Sequence, residues 1–168
     1  MKLHNKSFFA LIVVGAAFLS AVTVSCNKSN NSTVSGQMSF TINGTAWTSN
    51  IPVQAIYSQA GNVFEVLAGY YKAGDTTALA LQFTTPFVLH TAFSSDTTSL
   101  DVGYVNSTPL TQYDGGQISG HSALTVSSWD SVNHKISGTF SGVLYNISGG
   151  TDSLVISNGS FNTGYTPQ

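Results

Sequence analysis

The sequence predicts an all-β domain, an antiparallel sandwich or partly closed barrel of about ten strands. Three observations carry this. From Gln37 onward apolar and polar residues alternate with period two, and no window past the first 25 residues shows an apolar stripe of period 3.6. Turn signals such as Asn43-Gly44 and Ser148-Gly149-Gly150 interrupt the alternation at short intervals. Thr, Val, Tyr and Phe, which suit pleated and half-buried surfaces, are plentiful.

The elements follow in order. Phe40 and Ile42 alternate with Ser39 and Thr41 before Asn43-Gly44, and Ala46-Trp47-Thr48 resumes the pattern. An Asn-Gly pair between β-prone runs predicts a type I′ hairpin, because both positions need positive φ. Residues 53–58 read as a strand closed by Gln59-Ala60-Gly61-Asn62. Residues 63–71 are apolar on both faces, as in a central strand covered from two sides. Lys72-Ala73-Gly74-Asp75 is the next turn, after which Leu79, Leu81 and Phe83 share one face. Pro86 ends that strand or puts it at an edge. Residues 88–93 and 100–105 predict shorter strands. Residues 106–116 hold Pro109, Gly115 and Gly116 and read as the longest loop, a type of segment that often carries function.

The last third is the most regular. Residues 118–129 read as a long strand, and residues 130–134 as its connection to the next. There Ile136, Gly138, Phe140, Gly142 and Leu144 take one face, while Ser137, Thr139, Ser141, Val143 and Tyr145 take the other. Leu154 and Ile156 lead through Asn158-Gly159 to Phe161. Gly120, Gly138 and Gly142 inside long strands predict bends or bulges.

Composition bounds the function. At 168 residues the chain suits one domain. Only 7% of it is charged, against about 25% in an average soluble protein. The basic residues are five lysines, with no arginine. Nucleic-acid binding needs a basic face that releases counterions, so that class is excluded. The 42% hydrophobic content provides the core material that disordered chains lack.

Residues 1–25 read as an address. Lys2 and Lys6 precede an apolar run over residues 8–24, and the sequence turns polar from Asn27. This is the layout of a secretory signal peptide. The run falls short of the ~20 residues that span a bilayer. Cys26 is the lone cysteine, so no internal disulfide forms. Thr23-Val24-Ser25-Cys26 resembles a bacterial lipobox, with Thr23 where the motif usually has Leu. The resemblance implies that the Cys26 thiol receives diacylglycerol and that cleavage makes Cys26 the new N-terminus. Several acyl chains, at about 0.8 kcal/mol per buried methylene, give stable anchoring. The mature chain then carries three lysines against seven acids, a net charge of −4. That charge repels anionic lipid, so membrane attachment is expected through the N-terminal acyl chains. Residues 26–36 are the lipidated cysteine and an Asn/Ser-rich tether reaching about 17–19 Å, and residues 37–168 the single β domain.

The motifs at the two ends of that domain resemble those of an uncharacterised Bacteroidota lipoprotein family. Phe40-Thr41-Ile42-Asn43-Gly44-Thr45-Ala46-Trp47 is similar to its F-x-hydrophobic-N-G-x-x-W opening. Ile136-Ser137-Gly138-Thr139-Phe140 and Ile156-Ser157-Asn158-Gly159-Ser160-Phe161 are similar to its closing strand pair. The resemblance spans most of residues 37–161, with a loosely matched middle. It implies a lipoprotein of the cell envelope at the outer membrane, and transfers no catalytic residue. Bacteroidota lipoproteins bound for the cell surface often carry acids just after the cysteine. This chain has none there, which leans towards the periplasmic face.

Signs of chemistry are few. The chain has no G-x-S-x-G, H-E-x-x-H, P-loop or EF-hand loop. His90, His121 and His134 show no metal-ligand spacing, so no metal or cofactor is expected. Glu65 interrupts an apolar strand and reads either as a solvent-facing residue or as a buried carboxyl of raised pKa. Trp47, Tyr57, Tyr70, Tyr71, Tyr104, Tyr113 and Tyr145 serve either as packing or as a platform for sugar rings. Tyr113 and Asp114, in the predicted long loop, are the candidate ligand-binding residues. Thr76, Thr97, Ser131 and Ser153 each follow an aspartate and resemble Bacteroidota O-glycosylation acceptors, although Asp-Ser and Asp-Thr are also common turn pairs. The expected function is a non-catalytic binding or adaptor module for a glycan or envelope protein. The alternatives are an envelope hydrolase with a site assembled across strands, or a purely structural component.

Overall fold

A computed structural model describes residues 36–96, 100–116 and 120–168. Residues 1–25, Cys26 and the tether up to residue 35, Thr97, and residues 118–119 of the strand expected over 118–129 lie outside the described residues. The fold is all-β, and the described residues contain no helix. Twelve strands lie among the described residues: β1 (Gln37–Ile42), β2 (Thr45–Thr48), β3 (Ile51–Ser58), β4 (Val63–Lys72), β5 (Asp75–Thr84), β6 (Ala92–Ser94), β7 (Leu100–Ser107), β8 (Leu110–Asp114), β9 (His121–Asp130), β10 (Lys135–Asn146), β11 (Ser153–Gly164) and β12 (Thr166–Pro167).

They form one mixed sheet in the order β12-β3-β4-β5-β7-β8-β10-β11-β1-β2, with β9 added beside β10 and β6 beside β9. Every pairing is antiparallel except β12 with β3. The sheet curls without closing. A lone bridge between Gly36 and Val53 ties the start of β1 to β3.

Alternation decides which face is buried. Phe64 and Val66 of β4, Leu79, Leu81 and Phe83 of β5, and Leu100 and Val102 of β7 line one core with Ile136, Phe140 and Leu144 of β10. Asn43 and Gly44 adopt φ of 49° and 82°, as a type I′ turn requires. Gly138 and Gly142 sit where the β10 register slips against β9 and β11, so both are bulge positions as expected. Asn158 has φ 53° and adds a bulge inside β11, so the strand runs on through Asn158-Gly159.

Four expectations need correction. Residues 88–93 are mostly irregular, and only β6 survives there, because the backbone folds back at His90 (φ 60°) and donates to Val126. Residues 106–116 are not a long loop. Thr108-Pro109 is a tight turn, and β8 pairs back onto β7. Gly120 precedes β9 rather than lying within it. β4 is central, with one face fully buried and the other only partly covered, since Glu65 and Leu67 there are half-buried.

The registers define two ends. One holds Gln37, the Asp130–Lys135 turn and Gly164, joined to the start of β4 by ring contacts among Trp129, Tyr165, Tyr57 and Phe64. We call this the aromatic end. The other holds Ile42, Lys72, Asp75, Asn146 and Ser153, and is rich in polar groups.

Candidate functional site

The polar end holds a run of aromatic and polar side chains in which Trp47 and Tyr113 are half-buried and Asp152 exposed, with Thr77 and Tyr104 buried between them. It starts at Trp47, which stacks on Phe40 with ring centroids 4.4 Å apart and meets Tyr70 at 6.1 Å. The Trp47 indole N–H donates to Thr77 Oγ1 at 2.9 Å. Thr77 lies beside Tyr104, whose ring lies 6.2 Å from that of Tyr113. Tyr113 donates its hydroxyl to Asp152 Oδ2 at 2.6 Å, and Asn146 Nδ2 donates to Asp152 Oδ1 at 2.6 Å. Five separate strands and the turn before β11 contribute to this run.

Local chemistry explains the placement. β7 and β8 pair Tyr104 with Tyr113, and β8 and β10 pair Tyr113 with Asn146, so all three share one face. Asp152 sits in the turn before β11, where the Asn146 backbone N–H also donates to its carbonyl. The electrostatics follow from the contacts. Hydrogen bonds from Tyr113 and Asn146 hold the Asp152 carboxyl below its ordinary range, and Asp152 pushes the Tyr113 phenol up to about 12. Burial raises the Tyr104 phenol. Asp75, beside Tyr104, keeps one buried carboxyl oxygen without a partner among the described residues. That oxygen remains able to accept a hydrogen bond.

The two residues picked from sequence separate. Tyr113 and Asp114 are neighbours on a strand and therefore point to opposite faces. Tyr113 joins the run above. Asp114 turns to the outer face and meets Asp101, so the pair does not form one site. On that face burial and the neighbouring Asp114 carboxyl push Asp101 up to about 8. Asp114 Oδ1 accepts the Gly116 N–H at 3.1 Å. Asp101 Oδ1 is buried and lacks a partner among the described residues, with Gly116 packed against it.

Glu65 is half-buried, and burial raises its pKa. It faces Gln82, which in turn faces Asp101, so a polar row crosses the outer face. His121 Nδ1 meets Asp96 Oδ1 at 2.8 Å in an exposed pair of little energetic weight. His134 is a turn residue with φ 50°. No group of three His, Cys, Asp or Glu suited to a metal exists among the described residues.

The Asp-Ser and Asp-Thr positions differ in access. Ser131 and Ser153 are exposed and Thr76 is half-buried. Asp130 is already engaged by the backbone N–H groups of Val132 and Asn133 at 3.0 and 2.9 Å, which fixes the β9–β10 turn. The sequence missed Asn146 and Asp152 as site residues. An Asn-x5-Asp spacing across a Gly-Gly turn is the only local trace of their meeting.

No protein-family model, no curated protein and no solved structure matches this chain.

Proposed function

We propose that this chain is a lipid-anchored protein of the bacterial cell envelope whose β domain binds a glycan at its polar end. The observation that carries the binding role is the continuous run from Trp47 through Thr77, Tyr104 and Tyr113 to Asp152 and Asn146. Aromatic faces offer apolar contact to the C–H side of a sugar ring, while carboxylate and amide groups fix its hydroxyls. The run is already ordered by its own hydrogen bonds, which lowers the entropy lost on binding. Anchoring rests on Cys26 and the lipobox-like residues before it. With no arginine in the chain, a neutral polyhydroxylated ligand suits the site better than a phosphate.

A screen of envelope oligosaccharides against the mature chain tests this reading. Saturable binding that Trp47→Ala and Asp152→Ala both weaken supports it. Folded protein that binds no saccharide and instead captures an envelope protein overturns the glycan in favour of an adaptor role.

A further inference from the structure

The aromatic end differs from the polar end in a way the glycan reading does not use. Among the described residues five large aliphatic side chains stand exposed, and three of them lie here: Val88 at 69%, Leu89 at 42% and Val132 at 85%. Trp129 joins them at 37% exposure. Val88 and Leu89 sit in the loop after β5, which Phe87 presses against Trp129 with ring centroids 5.3 Å apart. Val132 caps the turn that directly follows Trp129. Below Val88 lies a hollow of about 220 Å³ lined by Thr84, Pro86, Phe87, Thr91 and Phe93.

Trp129 is built as an interfacial tryptophan. One side of its indole packs on Phe87, Phe64 and Tyr57, and its N–H donates to the Tyr165 hydroxyl at 2.9 Å. Lys135 pairs with Asp130 across the turn and helps hold its carboxyl low, after the stronger hydrogen bonds from Asn133. His134, against Tyr165, and His90 in the loop are titratable neighbours, and the backbone of Gln168 ends beside Tyr57 and Gln59. An apolar tip that carries few charges is suited to the headgroup–acyl boundary of a bilayer.

The occupant follows from where the chain enters. Gly36 bridges Val53, and Gln37 pairs with Asn162 two residues short of the Gly164–Lys135 row. The tether therefore joins the domain at this same end. Gly36 lies only ten positions after Cys26, a reach of about 17–19 Å for a flexible chain. Acyl chains on Cys26 would hold the tip within a domain's width of the lipid surface, at high effective concentration.

We infer that the aromatic end is a second membrane contact. Val88, Leu89, Trp129 and Val132 dip into the interface of the bilayer that holds the Cys26 acyl chains, and the glycan-binding end points away from it. This rests on the reading of Cys26 as the lipid attachment point.

The test separates the two. The mature chain, residues 26–168, is coupled through Cys26 to a maleimide lipid in phosphatidylethanolamine–phosphatidylglycerol vesicles, so anchoring no longer depends on cellular processing. In a Trp47→Phe background the Trp129 emission is expected to shift to the blue and to be quenched by lipids brominated near the headgroup. Both effects should be lost in Val88→Asp/Val132→Asp, whose sites are exposed and tolerate charge. Fluorotryptophan resonances of the otherwise unaltered mature chain give the same readout if Trp47→Phe fails to fold: the Trp129 signal should broaden with spin-labelled lipid and the Trp47 signal should not. An anchored protein whose Trp129 stays open to an aqueous quencher overturns the inference, as does a tip that pairs two copies without lipid. Intact mass of the cell-made protein reports separately on Cys26 acylation.

Discussion

The Tyr113 hydroxyl donates to Asp152 Oδ2 at 2.6 Å, joining β8 to the turn before β11 across 39 positions of sequence. The bond shifts both partners, raising the phenol to about 12 and lowering the carboxyl. Tyr113→Phe should bring the Asp152 carboxyl back up towards its ordinary range, and a carboxyl titration by NMR reads that directly. It should also remove a tyrosine that ionises near 12 from an alkaline absorbance titration. The sign for stability follows from the lowered carboxyl: its contribution is present above the unfolded pKa and is lost as pH falls through the folded one. Asp152 is exposed, so the larger effect falls on binding. Saccharide affinity should drop about tenfold, the equivalent of about 1.4 kcal/mol for one well-placed hydrogen bond.

Trp47 and Thr77 make a second such link at 2.9 Å, and Thr77 is buried at 8% exposure. Trp47→Phe keeps the stacking on Phe40 but leaves Thr77 with one partner fewer. A double-mutant cycle of Trp47→Phe with Thr77→Val should give a coupling of about 0.5–1.5 kcal/mol in urea unfolding. A coupling near zero would mean that the bond contributes only orientation.

Glycine and phenylalanine alternate across β10 and β11. Gly138 pairs with Phe161, and Phe140 pairs with Gly159. A Cβ on Gly138 would sit 2.8 Å from the Phe161 ring and 2.5 Å from the Thr125 carbonyl oxygen. The ring could turn, but the carbonyl belongs to the β9–β10 ladder and cannot move without loosening it. Gly138→Ala should therefore cost about 1–3 kcal/mol, read as a lower urea midpoint. Ser141→Ala, exposed on the same strand, should stay within about 0.5 kcal/mol.

Those glycines show what sequence carries. Period-two alternation through Ile136, Phe140 and Leu144 marks the buried face of β10 with no knowledge of its partners. Asn43-Gly44 likewise declares its turn locally. The failures share one cause. Residues 88–93 have strand-like composition, yet the chain folds back at His90 onto Val126, a contact made across 36 positions. Residues 106–116 look like a loop because Pro109 and the two glycines crowd together, while the β7 partner that makes β8 a strand is set by register. The site was legible residue by residue, in Trp47 and Tyr113, but its assembly was not. Tyr113 meets Asp152 rather than its neighbour Asp114 because strand residues alternate faces, and the sequence reading had placed both in a loop.

Register also brings Asp101 and Asp114 together, and a pH dependence follows. Burial and the facing Asp114 push the Asp101 carboxyl up to about 8, so the folded state holds a proton that the unfolded chain releases near pH 4. The stability this proton supplies is complete below the unfolded pKa. It is lost as pH rises from about 4 through the folded value near 8. Thermal unfolding of the native chain should therefore show a midpoint that falls across that window. Asp101→Asn keeps the shape and a hydrogen-bond donor for Asp114 but cannot ionise. Its midpoint should vary less across the window and lie above that of the native chain at pH 8, by several degrees for each kcal/mol recovered. Asp114→Asn should flatten the profile too, since it removes the repulsion that helps raise Asp101. If Asp101→Asn instead lowers the midpoint equally at pH 5 and pH 8, the carboxyl acts through packing against Gly116 and not through a shared proton.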